Sequence, residues 1–145
     1  MSASLSQNGA AQAFVLFPLG DKRFALPATT VRELAKQDEL QTFPHTTPLL
    51  TGVVLRREQV VPVCDLAPVL VGAETPERKF FLIVSSEESN SAMAIPVTGE
   101  CELTEAEQLP ITGTLPPYVC GLLSLKDEIV EVLDLPSAIV SEVRA

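Results

Sequence analysis

From Phe14 onward the chain alternates short apolar runs with polar punctuation, and two of the stretches written this way are near copies of each other. The first runs Gly52-Val53-Val54-Leu55, a charged turn Arg56-Arg57-Glu58-Gln59, then Val60-Val61-Pro62-Val63-Cys64 and Asp65-Leu66. The second runs Gly121-Leu122-Leu123-Ser124-Leu125, a turn Lys126-Asp127-Glu128, then Ile129-Val130-Glu131-Val132-Leu133 and Asp134-Leu135. Two apolar runs of strand length joined by a short charged turn predict a hairpin of largely buried strands with the charge at its tip. Phe14 to Leu19, the turn Gly20-Asp21-Lys22 and Arg23 to Pro27 predict another hairpin, and Phe80 to Val84 followed by Ala92 to Val97 predicts its counterpart.

The copies keep one spacing. Gly52 and Gly121 are 69 apart, as are Asp65 and Asp134, Val15 and Val84, Pro27 and Pro96, and Glu33 and Glu102. An ungapped repeat through strands and turns alike marks two copies of one supersecondary unit. With roughly five short strands per copy, frequent Gly and Pro and little helical periodicity, the fold class is all-β. Two small barrels packed together are the economical architecture, because closure removes the edges along which open sheets aggregate. The expected organisation is a frayed tail over 1–12, a first barrel over 13–76 and a second over 77–145 that ends in a short helix. The groove between the barrels is the natural binding surface.

Within this frame, Val31 and Glu33 share a face if their segment is extended, since side chains alternate with period two. Lys36 to Pro48 is polar and holds two prolines, which predicts a loop, with His45 exposed on it. Pro62 cannot donate to a central ladder, so its strand is expected at an edge or beside a bulge. Four acidic residues between Glu100 and Glu107 read as a solvated face.

A formal net charge of −9, with only ten Lys and Arg residues, argues against a nucleic-acid surface. A 46% hydrophobic content belongs to a globular protein, yet no apolar run reaches the roughly 18 to 20 residues that span a bilayer. Met1 to Gln12 lacks the basic and apolar regions of a signal peptide, so no membrane insertion and a cytoplasmic location are expected. Cys64, Cys101 and Cys120 stand far apart with a single histidine in the chain, which predicts buried reduced thiols, no metal and no cofactor.

The residues Phe14 to Asp21 with Phe24-Ala25-Leu26-Pro27, Val31-Arg32-Glu33-Leu34, and above all Gly52 to Arg57 with Val61-Pro62-Val63-Cys64-Asp65-Leu66 resemble the CheW family of chemosensory adaptors. The resemblance runs from Phe14 to Val140. It implies two five-stranded SH3-like barrels and a non-catalytic scaffold. The implied partners are a chemoreceptor (methyl-accepting) cytoplasmic tip and the regulatory domain of a CheA-type histidine kinase. On the same resemblance, Val31, Glu33, Gly52 and Arg57 fall on positions that line the partner-binding groove. Two departures leave a flagellar pathway and a pilus-type or other pathway both open: Arg57-Glu58 stands where the family usually has Arg-Gly, and Val97-Thr98-Gly99-Glu100 replaces Val-Asp-x-Val.

Other classes are weaker. A hydrolase triad can be spelled from Cys64 or Ser85 with His45 and Asp65, but no nucleophile-turn spacing supports it, and Asp134 repeats Asp65 with neither Cys nor His beside it. A small-ligand barrel fits the apolar content but offers no convergent polar set. At the hairpin tip, adjacent Arg56 and Arg57 point to opposite faces, so one of them, Arg57 by resemblance, looks into the groove. Arg56 is then expected to be solvated or structural, with Glu58 as a candidate internal partner for Arg57.

Overall fold

The computed structural model describes residues 11–36, 41–44, 52–56, 58–72, 79–85, 92–111 and 113–135. His45, Arg57 and the expected C-terminal helix lie outside them. The described strands are β1 (Gln12–Leu19), β2 (Lys22–Pro27), β3 (Val31–Lys36), β4 (Gln41–Pro44), β5 (Gly52–Arg56), β6 (Gln59–Val63), β7 (Phe80–Ser85), β8 (Ala92–Val97), β9 (Glu102–Ala106), β10 (Gln108–Leu109), β11 (Val119–Leu125) and β12 (Glu128–Leu133). A single-turn helix, α1 (Ala67–Leu70), follows β6.

The strands form two six-stranded sheets, ordered β10-β11-β12-β2-β1-β9 and β3-β7-β8-β6-β5-β4. In the first, the edge strands β9 and β10 are separated in the chain only by Glu107, so one bent strand supplies both edges and the sheet closes as a five-stranded barrel. In the second, β3 and β4 hold the same two edges. The fold is therefore the expected pair of small all-β barrels.

Sheet membership does not follow the expected division at residue 76. The second sheet uses the continuous segment 31–97, whereas the first uses 12–27 and 102–133. One barrel is thus inserted in the other, and they are called here the inserted and the split barrel. Each takes its first hairpin from the opposite copy: β2 lies parallel to β12 through Ala25 and Val132, and β8 lies parallel to β6 through Ala94 and Val63. The hydrophobic pattern of a strand fixes which face is buried but not which of two equivalent edges it joins, so the exchange leaves no mark in the alternation.

The repeat itself is structural. Gly121 pairs with Val132 as Gly52 pairs with Val63, 69 residues earlier. It is not ungapped, however. Leu82 pairs with Ile95 where Val15 pairs with Leu26, so β7 corresponds to β1 at 67 while β8 corresponds to β2 at 69. The turn between β7 and β8 is two residues longer, and Val15 superposes on Leu82 rather than on Val84.

With that gap six positions of the two cores correspond, while Ala35 of the inserted barrel stands where the split barrel has Thr104. The split barrel encloses Phe14, Leu16, Ala25, Leu123, Val130 and Val132. Their counterparts Phe81, Ile83, Ala94, Val54, Val61 and Val63 fill the inserted barrel. A third cluster joins the two: Phe17, Leu19, Phe24 and Leu26 from β1 and β2 pack against Leu82, Val84, Ile95 and Val97 from β7 and β8, with Cys64, Leu66 and Leu133 beside them. Alternation along β1 explains it, since even positions face the barrel interior and odd positions face the other barrel.

Pro62 sits on an internal strand rather than at an edge. It opposes Val53 of β5, and the parallel contact with β8 begins only at Val63, after the proline. No ladder bond is asked of the nitrogen that lacks a hydrogen. Asp65 is the one buried charged side chain among the described residues, and its Oδ1 accepts a hydrogen bond from the Ala67 N–H at 3.1 Å, turning the chain into α1. This is the structural, strand-ending role expected of it.

Candidate functional site

A pocket of about 210 Å³ opens at the end of the inserted barrel where the β5–β6 tip, β3 and the start of β8 meet. Val61 and Ile83, the last interior residues at this end, form its floor. Arg32, Glu33, Arg56, Gln59 and Ala92 form its rim. It lies at a barrel mouth and not in the groove between the barrels.

Glu33 reaches the mouth because β3 carries a bulge. Val31 opposes Val84 and Glu33 opposes the adjacent Ile83, which leaves Arg32 as the extra residue. Val84 faces the inter-barrel core and Ile83 faces the interior, so Val31 packs toward the former and Glu33 toward the latter. The two residues therefore do not share a face, against the expectation from simple alternation.

At the rim, Arg56 donates to Glu33 twice: its Nε lies 3.0 Å from Glu33 Oε1, and its Nη2 pairs with the same oxygen. Both side chains are part-buried, which gives a forked pair more weight than a fully solvated one. Arg56 is thus the arginine of this hairpin that the structure places against Glu33. Arg57, the expected one, lies outside the described residues. Glu58 follows with φ at +66°, the left-handed region that glycine occupies without penalty. Gly52, buried on β5, opposes Pro44 and Val63 at the far end of the hairpin from this rim.

The matching end of the split barrel is arranged differently. Arg23, the counterpart of Ala92, pairs with Glu128 and lies 3.7 Å from Glu102, the counterparts of Gln59 and Glu33. Its pKa is raised, first by the hydrogen bond to Glu128. Leu125 stands where the inserted barrel has Arg56. Sequence reasoning missed Arg32, Gln59, Arg56 and Ala92 as a set. The signal that finds them is the internal repeat at its plain spacing of 69, which sets Arg23 on Ala92, Glu128 on Gln59 and Leu125 on Arg56.

The cysteines are all free thiols. Cys64 is buried and Cys101 partly so, but Cys120 is exposed, unlike the buried thiol expected there. Burial pushes Cys101 up to about 11, and it raises Cys120 too, with Asp134 adding to the effect. Raised thiols are poor nucleophiles at neutral pH. Among the described residues no three His, Cys, Asp or Glu side chains gather as a metal site, and no helix is long and apolar enough to cross a membrane.

The chain is similar in sequence to protein FrzA of Myxococcus xanthus, with 29% identity over 113 residues that cover 76% of this chain and 67% of the relative. In fold it is similar to the scaffolding protein TtCheW from Thermoanaerobacter tengcongensis, with a TM-score of 0.71, 19% identity, and coverage of 86% of this chain and 84% of that one. The model of the CheW-like domain matches residues 13–143, which takes in both hairpin exchanges and every strand described from Ala13 onward. Two closed barrels, one inserted in the other and joined by a shared core, are thus the CheW-like domain, and this chain belongs to that family.

Proposed function

We propose that the protein is a non-catalytic adaptor that couples chemoreceptor cytoplasmic tips to the regulatory domain of a CheA-type histidine kinase, in a flagellar or pilus-type chemosensory pathway. The observation that carries this reading is the family match over 13–143. Location in the cytoplasm, beside such partners, follows from the same reading.

Within the adaptor, Glu33 and Arg57 are proposed as contact residues, and Val31 and Gly52 as residues that hold the contact surface in shape. Val31 does so from the inter-barrel core, and Gly52 from the far end of the β5–β6 hairpin. The experiment is capture of the regulatory domain of a CheA-type kinase and of a chemoreceptor tip from the same organism, by the parent protein and by Arg57→Glu. Truncating a desolvated interfacial charge costs about 2 to 5 kcal/mol, so the folded variant should lose at least one partner. Failure of the parent to capture either partner would remove the adaptor reading.

A further inference from the structure

The split barrel is made of two pieces of chain that the inserted barrel separates, β1–β2 and β9–β12. The first piece belongs to a larger body, because its outward side chains Phe17, Leu19, Phe24 and Leu26 are buried against Leu82, Val84, Ile95 and Val97 of the inserted barrel. The second piece is tied to that body mainly through the hairpin. Residues 102–106 pair with residues 12–16 of β1, and Glu131 and Val132 pair with Phe24 and Ala25 of β2. Its core residues Leu123, Val130 and Val132 close on Phe14, Leu16 and Ala25. Among the described residues it gives the inter-barrel cluster one buried side chain, Leu133, with Tyr118 and Leu135 partly buried beside it. The covalent link is Thr98-Gly99-Glu100-Cys101, which lies outside any strand between β8 and β9. Thr98 anchors it, accepting the Gly20 N–H on its hydroxyl at 3.0 Å and donating its own N–H to the Pro18 carbonyl at 3.2 Å.

We propose that β9–β12 is an exchangeable unit and that its partner is a second copy of this chain: two molecules trade their β9–β12 units, with Thr98 to Cys101 as the hinge, and each unit completes the split barrel of the other. The single chain already assembles in this way, since each hairpin completes a sheet built by the opposite copy of the repeat. The surface that β1 and β2 offer to β9 and β12 is the same whichever molecule supplies those strands. Outside the hinge, every contact of the exchanged dimer is therefore one that the monomer makes, which is why exchange of an identical element is a low-cost route to a dimer. The trade is reciprocal, so the dimer closes with twofold symmetry and does not propagate. Linker length sets the balance. A short linker that spans its gap holds a molecule's own unit at an effective concentration in the millimolar range, and one too short to span it leaves only the second molecule's unit within reach. This property belongs to the fold and holds whether or not the protein is an adaptor.

The test is refolding of the full chain from urea at about 10 μM and at about 1 mM, well below and near the effective concentration of a short linker. Light scattering should find a monomer in the dilute sample and a dimer in the concentrated one. What is exchanged is then identified by complementation. Affinity-tagged Phe14→Asp and untagged Leu123→Asp each place a carboxylate in the core of their own split barrel. Refolded together at about 1 mM, they should be recovered on the tag as a mixed dimer. In it one split barrel combines the intact hairpin of the Leu123→Asp chain with the intact β9–β12 of the Phe14→Asp chain. Deleting Gly99 and Glu100 should make the dimer the main species even at about 10 μM. A parent that stays monomeric after refolding at about 1 mM overturns the proposal. So does a parent dimer whose two variants are not recovered together, since molecules that only associate side by side cannot rebuild a barrel, and so does a folded, monomeric deletion variant.

Discussion

At one end of the split barrel Arg23 is clamped by Glu102 and Glu128, while at the matching end of the inserted barrel Ala92 leaves a pocket and Arg56 has moved in from another strand to meet Glu33. The interiors just beneath these mouths are almost interchangeable: Phe14 with Phe81, Ala25 with Ala94, Val130 with Val61. A duplicated scaffold is constrained where its side chains must fill a fixed volume and released where they meet solvent. Differences between the copies are therefore most informative at the rims, where packing does not force them.

The comparison breaks most severely if the barrels prove independent. Phe14→Ala and Phe81→Ala, equivalent and buried, should each cost about 3 to 5 kcal/mol. Because the third cluster is shared, urea denaturation of either variant should give a single transition by circular dichroism. Two separated transitions would mean that the strand exchange does not couple the barrels.

The rims should respond less and unequally. Arg23→Ala leaves Glu102 and Glu128 without their common cation and should destabilise by about 1 kcal/mol, as partly exposed pairs do. Arg56→Leu, which copies Leu125, should change the urea midpoint less than that and show its effect in partner capture. Equal losses of stability would make both arginines merely structural.

Smaller again is the turn. Glu58 pays for a left-handed φ, whereas Lys126 and Asp127 make the matching two-residue turn without one. Glu58→Gly should stabilise by about 0.5 to 1 kcal/mol in thermal or urea unfolding, and Asp127→Gly should not.

A further effect is confined to alkaline pH. The Cys101 thiol titrates higher in the folded chain than its ordinary 9.0, at about 11. The unfolded state therefore releases its proton first, so the stability from this group is complete below pH 9 and is lost as pH rises toward 11. The urea midpoint should fall further between pH 8 and pH 10.5 for the parent than for Cys101→Ala. An identical fall would place its cause elsewhere.

Much of this architecture can be read from the residues, and the parts that cannot have physical reasons. The hairpins, the closed all-β class and the twofold repeat follow from alternation and turn chemistry, which are local. The gap in the repeat was hidden because the 69 spacing happens to lay Val15 on Val84, and one valine in an apolar strand looks like another. The exchange of hairpins was hidden because β2 presents the same edge to either copy. The resemblance singles out Glu33, but its direction is not legible, since one bulged residue at Arg32 turns it from the inter-barrel side to the barrel mouth. Alternation lets one of Arg56 and Arg57 face inward without saying which, and it is the family resemblance that points to Arg57.

The nesting of one barrel in the other also sets an order on synthesis. All six strands of the inserted barrel, ending at Val97, emerge from the ribosome before β9 does. The β1–β2 hairpin, made first of all, must wait for β9 to cover one of its edges and for β12 to cover the other. During that interval its apolar face of Phe17, Leu19, Phe24 and Leu26 has one matching surface in the nascent chain, the β7–β8 face that shelters it in the finished protein. The inserted barrel is then the template on which the split barrel is assembled, and the last strand to emerge completes the sheet that the first strand began.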